Sequence, residues 1–570
     1  MFFGSSPPPP PACLIPDLTT LRGRLSFESL TETPPDQIIL LVIIFAPHVF
    51  LALRIIFRGF ISVSNAVSSW RRFGLKSLLK QYAGAIIRLL QSAIPAVSRL
   101  IDDAVKDELS GIEKDLLGDG DASALISLPP KGRSDVLQLC TALHDDDSFV
   151  KYAGKLWGGI YHDPSSKLTK LQADVWRLYN TSNALYPKEF GSLRKMEAEL
   201  LSMTVGLIHG HEIGACGLLA SGGTEAILLA VLAYREHGRV HRGITSPQIV
   251  CGLSAHPALT KACAYFGVEL IKAPLDPHTM KLTSKAVRPL ITSNTVAIYA
   301  SAPCFTFGAV DEIEELGKLA KAYNIGLHVD NCLGGYLLSF MSMEGLYTRP
   351  WDFSVEGVTT ISIDLHKYGF TSKGASVCAF RSPQLRRLTY VPSADGCEGL
   401  YVTPTIQGSR SGATIAAAWA TLVHMGEDGY RKAACELTAA QEALKDAVRS
   451  IKGIQLCGDP TLAIVAINGV DGLNVYALAT LLEKRGWGLF TGQKPPTLSV
   501  PVGERTPHLL KSLITDLREC VAYLLANPTT KPEGNAAVYG AAASIPDVIL
   551  EEVMRGYVDI KLSVKPAGDK

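Results

Sequence analysis

The chain has 570 residues, enough for two or three domains and a large buried core. Apolar residues make up 47% and charged residues 19%, with a net charge of +1, so nothing in the bulk composition attracts nucleic acid or acidic partners. The 12 cysteines are scattered with no C-x-x-C pair, which argues against a disulfide framework or a zinc site and suits a reducing compartment.

In chain order, residues 1–37 form a short start that includes the proline run Pro7 to Pro11. Ile38 to Leu53 then run sixteen positions without a charge. Roughly 20 apolar residues span a bilayer. Arg54 and Arg58 can reach the interface while their stems stay in lipid, so residues 38–58 read as a transmembrane helix. Glu28, Glu32 and Asp36 precede the run, the wrong sign for a cleaved signal peptide, which leaves a buried core helix as the competing reading. Arg54, Arg58, Arg71, Arg72, Lys76 and Lys80 all follow it, so positive-inside logic puts the large C-terminal part in the cytosol. Residues 59–150 are expected to hold a basic amphipathic helix over Trp70–Ile101 and a polar linker around Gly120, Pro129 and Pro130.

Between 151 and 425, short β-branched runs such as Gln248–Cys251, Thr295–Tyr299, Gly326–Asp330 and Thr360–Ile363 alternate with helical stretches. That alternation predicts a large α/β domain with a mainly parallel sheet. Residues 426–545 begin with a long Ala- and Leu-rich helix, continue through strands near Ala463–Ile467 and Thr497–Val500, and include a helix over 507–526. They read as a smaller α+β domain, followed by a C-terminal helix and tail over 546–570.

The chemistry gathers around Ile361–Gly369, where a strand ends in the pair His366–Lys367. Lysine is the side chain that forms a Schiff base with the aldehyde of pyridoxal phosphate. At the end of a buried strand, desolvation is expected to lower its pKa toward the reactive neutral amine. Upstream, Asp330 closes the strand Ile325–Asp330, where a carboxylate can pair with a protonated pyridine nitrogen; capping the next helix is the simpler role. Ser221–Gly222–Gly223–Thr224–Glu225 leads into a helix whose backbone N–H groups can cradle a phosphate, although an ordinary capping box has the same look. His256 follows a strand and can stack on a ring, or be an ordinary loop histidine.

The four elements in this order and spacing resemble pyridoxal-phosphate enzymes of the aspartate-aminotransferase type (fold type I), in the branch of the group II decarboxylases. The resemblance narrows with Trp176–Pro187, Phe190–Glu199, Lys261–Gly267, Val329–Gly335, Asp364–Gly374, Tyr401–Arg410 and Asp516–Cys520, which are similar to the sphingosine-1-phosphate lyase family over roughly residues 150–545. Several roles are implied by that resemblance. Lys367 holds the cofactor, His366 contacts its phosphate, and Gly223, Thr224 and Ser409 complete the phosphate cup. Asp330 pairs with the ring nitrogen and His256 stacks on the ring. Gly408 comes from the partner subunit of a homodimer. Tyr161, Asn183, Tyr186, Lys373 and Arg410 handle the substrate, with Lys373 and Tyr161 also catalytic. The chain departs from the family pattern at Tyr186, usually a histidine, and at Trp157, usually a small residue. Tyr186 can donate a hydrogen bond but cannot carry a positive charge.

The implied reaction is retro-aldol cleavage of the C2–C3 bond of a sphingoid base 1-phosphate, at the endoplasmic reticulum membrane with the catalytic part facing the cytosol. Two rivals stand beside it: a group II amino-acid decarboxylase, and a non-catalytic membrane scaffold on the same fold.

Overall fold

The computed structural model describes residues 95–117, 134–147, 155, 159–397, 399–534, 536 and 547–565. The expected membrane helix at 38–58 and Trp157 lie outside them. Among the described residues no helix is long and apolar enough to cross a membrane. The chain divides into two compact units. In one, the helices Pro95–Leu117 and Asp547–Lys561 pack on each other, and Lys565 reaches Glu113 at 3.1 Å.

The other unit spans 131–543 and carries the site. Its large sheet has seven strands: β1 (Cys216–Ala220), β2 (Gln248–Gly252), β3 (Glu269–Ala273), β4 (Thr295–Ser301), β5 (Gly326–Asp330), β6 (Thr360–Asp364) and β7 (Ser376–Phe380). They run in the order β1-β7-β6-β5-β4-β2-β3. The five strands from β6 to β3 are mutually parallel, and β7 runs antiparallel between β6 and β1. This is the mainly parallel sheet the alternation predicts. Every residue of β4, β6 and β7 is buried, as expected for strands covered on both faces.

Strand periodicity divides the cover. Ile298, Val329, Ile361 and Ile363 point into one apolar cluster. Ala297, Tyr299, Cys378 and Phe380 point into another, with the helix Gly223–Arg242, which buries ten residues against that second face. The sequence reading did not single out β1 or β7, both short and apolar without alternation.

The smaller sheet is antiparallel, in the order β10-β11-β9-β8, from β8 (Ile454–Leu456), β9 (Ile464–Gly469), β10 (Phe490–Gln493) and β11 (Pro496–Pro501). The helix expected to start at Gly426 begins at Gly412 and runs to Ser450. Gly426 sits inside it at φ 60°, a value glycine adopts without a Cβ clash, so the residue marks a break within the helix. A further helix, Val136–Asp146, lies within the stretch expected to hold the juxtamembrane helix and linker.

Candidate active site

Register brings the site together. In the parallel part of the sheet Ser301 pairs with Asp330, and Asp330 with Ser362. Through β7, Ser376 faces both Asp364 and Ala220, so the loop Ser221–Gly223 opens beside the end of β6. Carboxyl ends of parallel strands are where open α/β sheets place ligands. A cavity of about 270 Å³ lies there, lined by Gly223, Thr224, His256, Asp330, Asp364, His366 and Lys367 among others.

Lys367 is the centre of its electrostatics. Its Nζ lies 2.9 Å from Asp364 Oδ2, and Asp364 is almost fully buried. Desolvation alone would lower the lysine pKa, as the sequence reading expects. The adjacent carboxylate outweighs it, and Lys367 is held well above the usual lysine value. That expectation is therefore reversed: in the free enzyme Lys367 is an ammonium ion. Asp364 also accepts from Ser376 Oγ at 2.5 Å and lies 3.5 Å from His366 Nε2. Burial pushes its carboxyl up, but Lys367, His366 and the Ser376 hydroxyl more than compensate and keep it ionised.

Asp330 is held by three donors: the Cys332 amide at 3.0 Å, Ser362 Oγ at 3.2 Å, and the Tyr299 hydroxyl. Burial raises its pKa, yet His256, the Tyr299 bond, His328 and Lys367 together bring it below the usual carboxylate range. Behind it, His328 is fully buried between Thr360 Oγ1 (2.8 Å) and Ser362 Oγ (3.2 Å), and burial lowers its pKa to about 4. His256 accepts from the Ala258 amide through Nδ1 at 3.2 Å, which leaves Nε2 the protonated nitrogen, and burial favours its neutral form.

The loop after Lys367 supplies a second lysine. Lys373 Nζ donates to the His366 carbonyl at 3.2 Å and stands 4.9 Å from the centroid of the Tyr161 ring. Partial burial of that ammonium, then the charge on Lys367, lowers its pKa to about 8. Burial raises the Tyr161 hydroxyl, which Lys367 only partly opposes. Tyr161 packs edge-on against Tyr368 at 5.1 Å, and the Tyr368 hydroxyl donates to the Val502 carbonyl beyond β11, tying the site to the end of the smaller sheet.

These residues suit pyridoxal phosphate. Lys367 can take the aldehyde, Asp330 the ring nitrogen and His256 the ring face. Gly223 begins the 20-residue helix Gly223–Arg242, whose N-terminus favours an anion. A Cβ on Gly223 would lie 2.7 Å from both Asp364 Oδ1 and Cys332 Sγ, so only glycine fits that cradle. His366 Nδ1 is buried without a hydrogen-bond partner, a vacancy a phosphate oxygen would fill.

The other expected residues gather elsewhere in the same chain. Asn183 Nδ2 donates to Ser409 Oγ at 2.9 Å, while its Oδ1 accepts from the amides of Leu185 (3.0 Å) and Arg410 (3.2 Å). Gly408 and Arg410 line a second cavity of about 260 Å³, and Tyr186 is 52% exposed. Both terminal nitrogens of Arg410, expected as an anion contact, pair with the Glu197 carboxylate, while its Nε is buried without a hydrogen-bond partner.

Sequence reasoning assigned no role to Asp364, Tyr299, His328 or Ser362, yet the signal was there. In the strand Thr360-Ile-Ser-Ile-Asp364 every second residue is polar although the whole strand is buried, and the same face of β5 carries His328 and Asp330. A buried strand with a polar face points that face at a site.

Comparison with known proteins agrees with this geometry. Residues 170–468 match the family model for the pyridoxal-dependent decarboxylase conserved domain. The chain is 35% identical to sphingosine-1-phosphate lyase 1 of Rattus norvegicus over 505 residues, which is 87% of either chain. It is 35% identical to sphingosine-1-phosphate lyase of Saccharomyces cerevisiae over 477 residues, 82% of this chain and 80% of the yeast one. A solved sphingosine-1-phosphate lyase from Burkholderia pseudomallei superposes with a TM-score of 0.69 at 32% identity, covering 77% of this chain and 98% of its own. With a lysine, two carboxylates and a phosphate cradle converging at the strand ends, and with relatives of this similarity over most of its length, the chain belongs to the sphingosine-1-phosphate lyase family of pyridoxal-phosphate-dependent enzymes.

Proposed function

We propose that this enzyme cleaves the C2–C3 bond of sphingoid base 1-phosphates, releasing a long-chain aldehyde and phosphoethanolamine. The observation that carries the reading is the pair of lysines, with Lys367 ion-paired at the cavity floor and Lys373, of pKa about 8, beside Tyr161. When bound, pyridoxal phosphate supplies an electron-poor ring that accepts the electron pair left at C2 when the bond breaks. Lys367 would hold the cofactor through its aldehyde. Asp330, ionised and held by three donors, would pair with the ring nitrogen and favour its protonated form. Lys373, neutral in a useful fraction near pH 8, removes the proton from the C3 hydroxyl as the C2–C3 bond breaks, and the ammonium so formed can return a proton to C2 to give phosphoethanolamine. Tyr161 stays protonated and orients the amino-alcohol head by donating a hydrogen bond.

Two arrangements accompany the reaction. The first is a homodimer in which the 401–410 loop, with Gly408 and Ser409, completes the partner's site. Its support is the exposure of Leu400 (86%), Val402 (54%) and Ile406 (58%), an apolar strip of the kind that a partner covers. The second is an N-terminal membrane anchor at 38–58, in the endoplasmic reticulum, with the catalytic unit in the cytosol. Its support is the uncharged run and the basic residues after it. A substrate tail of a dozen or more CH₂ groups, each worth about 0.8 kcal/mol on burial, stays in the bilayer, so catalysis beside a membrane is advantageous.

The test is the visible spectrum of the detergent-solubilised protein and of Lys367→Ala, each given a sphingoid base phosphate. An absorption band in the wild type that is missing in the variant, with aldehyde formed only by the wild type, supports the reading. A band with CO₂ release from amino acids and no aldehyde would instead favour the decarboxylase chemistry of the shared fold. Mixing Lys367→Ala with Gly408→Trp subunits tests the dimer: activity returning in the mixture means both defects fall in one shared site and leave the other intact, whereas no return means that Gly408 serves its own subunit's site.

A further inference from the structure

Lys373 is placed by a loop whose backbone is not relaxed. Phe370 has φ +57° and Gly374 φ +107°, two left-handed residues within five positions. A bulky L-residue keeps such a conformation only where its surroundings impose it. Part of the restraint comes from the helix Gly412–Ser450, where the Tyr430 hydroxyl donates to the Gly369 carbonyl at 2.8 Å and the Tyr430 ring stacks on Phe370. A further part comes from Gln172 on the helix Lys167–Tyr179. Its side chain is 5% exposed, and Nε2 donates to the Phe370 carbonyl at 2.8 Å and to Thr421 Oγ1 at 3.0 Å. Its Oε1 accepts from Ser372 Oγ at 3.2 Å. One buried amide thus bonds both the left-handed residue and the residue next to Lys373.

We propose that Gln172 is a positioning residue of the active site: its amide fixes the Phe370–Ser372 turn, and through it the place of the Lys373 ammonium beside Tyr161 and the His366 carbonyl. A purely space-filling role at this position would be met at lower cost by leucine or methionine, since a buried amide must find a partner for every polar atom. Here two of its three bonds go to the loop. Gln172 does not line the cavity, so it acts through the turn that carries Lys373. The inference rests on the reading that Lys373 takes part in the reaction.

The experiment is a double-mutant cycle on the holoenzyme, with Gln172→Leu, Lys373→Met and both together, measuring kcat against pH and the cofactor absorbance of each. Misplacing a reacting group by about 1 Å costs on the order of 10²-fold. Gln172→Leu is therefore expected to lower kcat by about 10- to 100-fold, displace the pH limb near 8, and leave cofactor content and its absorption band unchanged. In the Lys373→Met background the same change is expected to have no further effect on kcat. Equal losses in both backgrounds, or no loss in either, would overturn the proposal and leave Gln172 a packing residue. A Lys373→Met enzyme with wild-type kcat would refute the role given to Lys373 itself, a result distinct from additivity. Ser372→Ala, which removes one of the loop bonds and leaves the core intact, is expected to give a smaller loss of the same kind and serves if Gln172→Leu does not fold.

Discussion

Replacing Asp364 by asparagine isolates the control of the cofactor lysine. Asparagine keeps the shape of the side chain and the acceptor for Ser376 Oγ, and removes the charge and the acceptor oxygen 2.9 Å from Lys367 Nζ. Losing one member of a buried pair typically costs about 3–5 kcal/mol. The Lys367 side chain is 21% exposed, so the lower end applies. About 3 kcal/mol corresponds to roughly a hundredfold change in the fraction of Lys367 that is neutral at a given pH. The sign follows from burial: with the carboxylate gone, desolvation is the largest remaining influence and the lysine pKa falls. Only the neutral amine attacks the aldehyde, so apo-protein with Asp364→Asn should capture pyridoxal phosphate about a hundredfold faster at pH 7.5. Stopped-flow absorbance between pH 6 and 10 reads this directly. Both rates should climb about tenfold per pH unit across this range, with the variant's profile displaced upward about a hundredfold. Superimposable profiles would refute the argument that Asp364 holds Lys367 charged.

Lys373 must be neutral to act as a base, so kcat should rise with pH through about 8 and level above it, and Lys373→Met should abolish that limb. Gly223→Ala places a methyl 2.7 Å from Asp364 Oδ1 and Cys332 Sγ; equilibrium dialysis should show cofactor binding weakened at least tenfold, with a stability loss of about 1–3 kcal/mol. Asp311 is buried, accepts from the Leu282 and Ser301 amides at 2.7 Å each, and burial raises its pKa to about 7. The folded state therefore keeps a proton that the unfolded state has lost, and its contribution to stability falls as pH rises from about 4 to 7. Melting curves at pH 4.5 and 7.5 should show a smaller difference for Asp311→Asn than for the wild type.

Legibility differed between residues for identifiable reasons. Gly326–Asp330 and Thr360–Asp364 were readable as strands because β-branched runs at that spacing have few other solutions, and Lys367, Asp330 and His256 stood out as chemistry-bearing residues at strand ends. By itself the sequence determined the alternating α/β layer and the family, and singled out Lys367 as the candidate cofactor lysine, since these depend on residue types in local order. The tertiary structure decided what long-range contacts decide. Asp364 reverses the expected charge of Lys367, which neither burial nor position along the strand reveals, because an ion pair over 2.9 Å outweighs desolvation only when the geometry is fixed. Arg410 is paired with Glu197, 213 residues away in the chain, and Gln172 reaches Phe370 across 198. Such partners are set by packing away from water, where polar atoms must be matched, and no local pattern encodes which distant residue matches them.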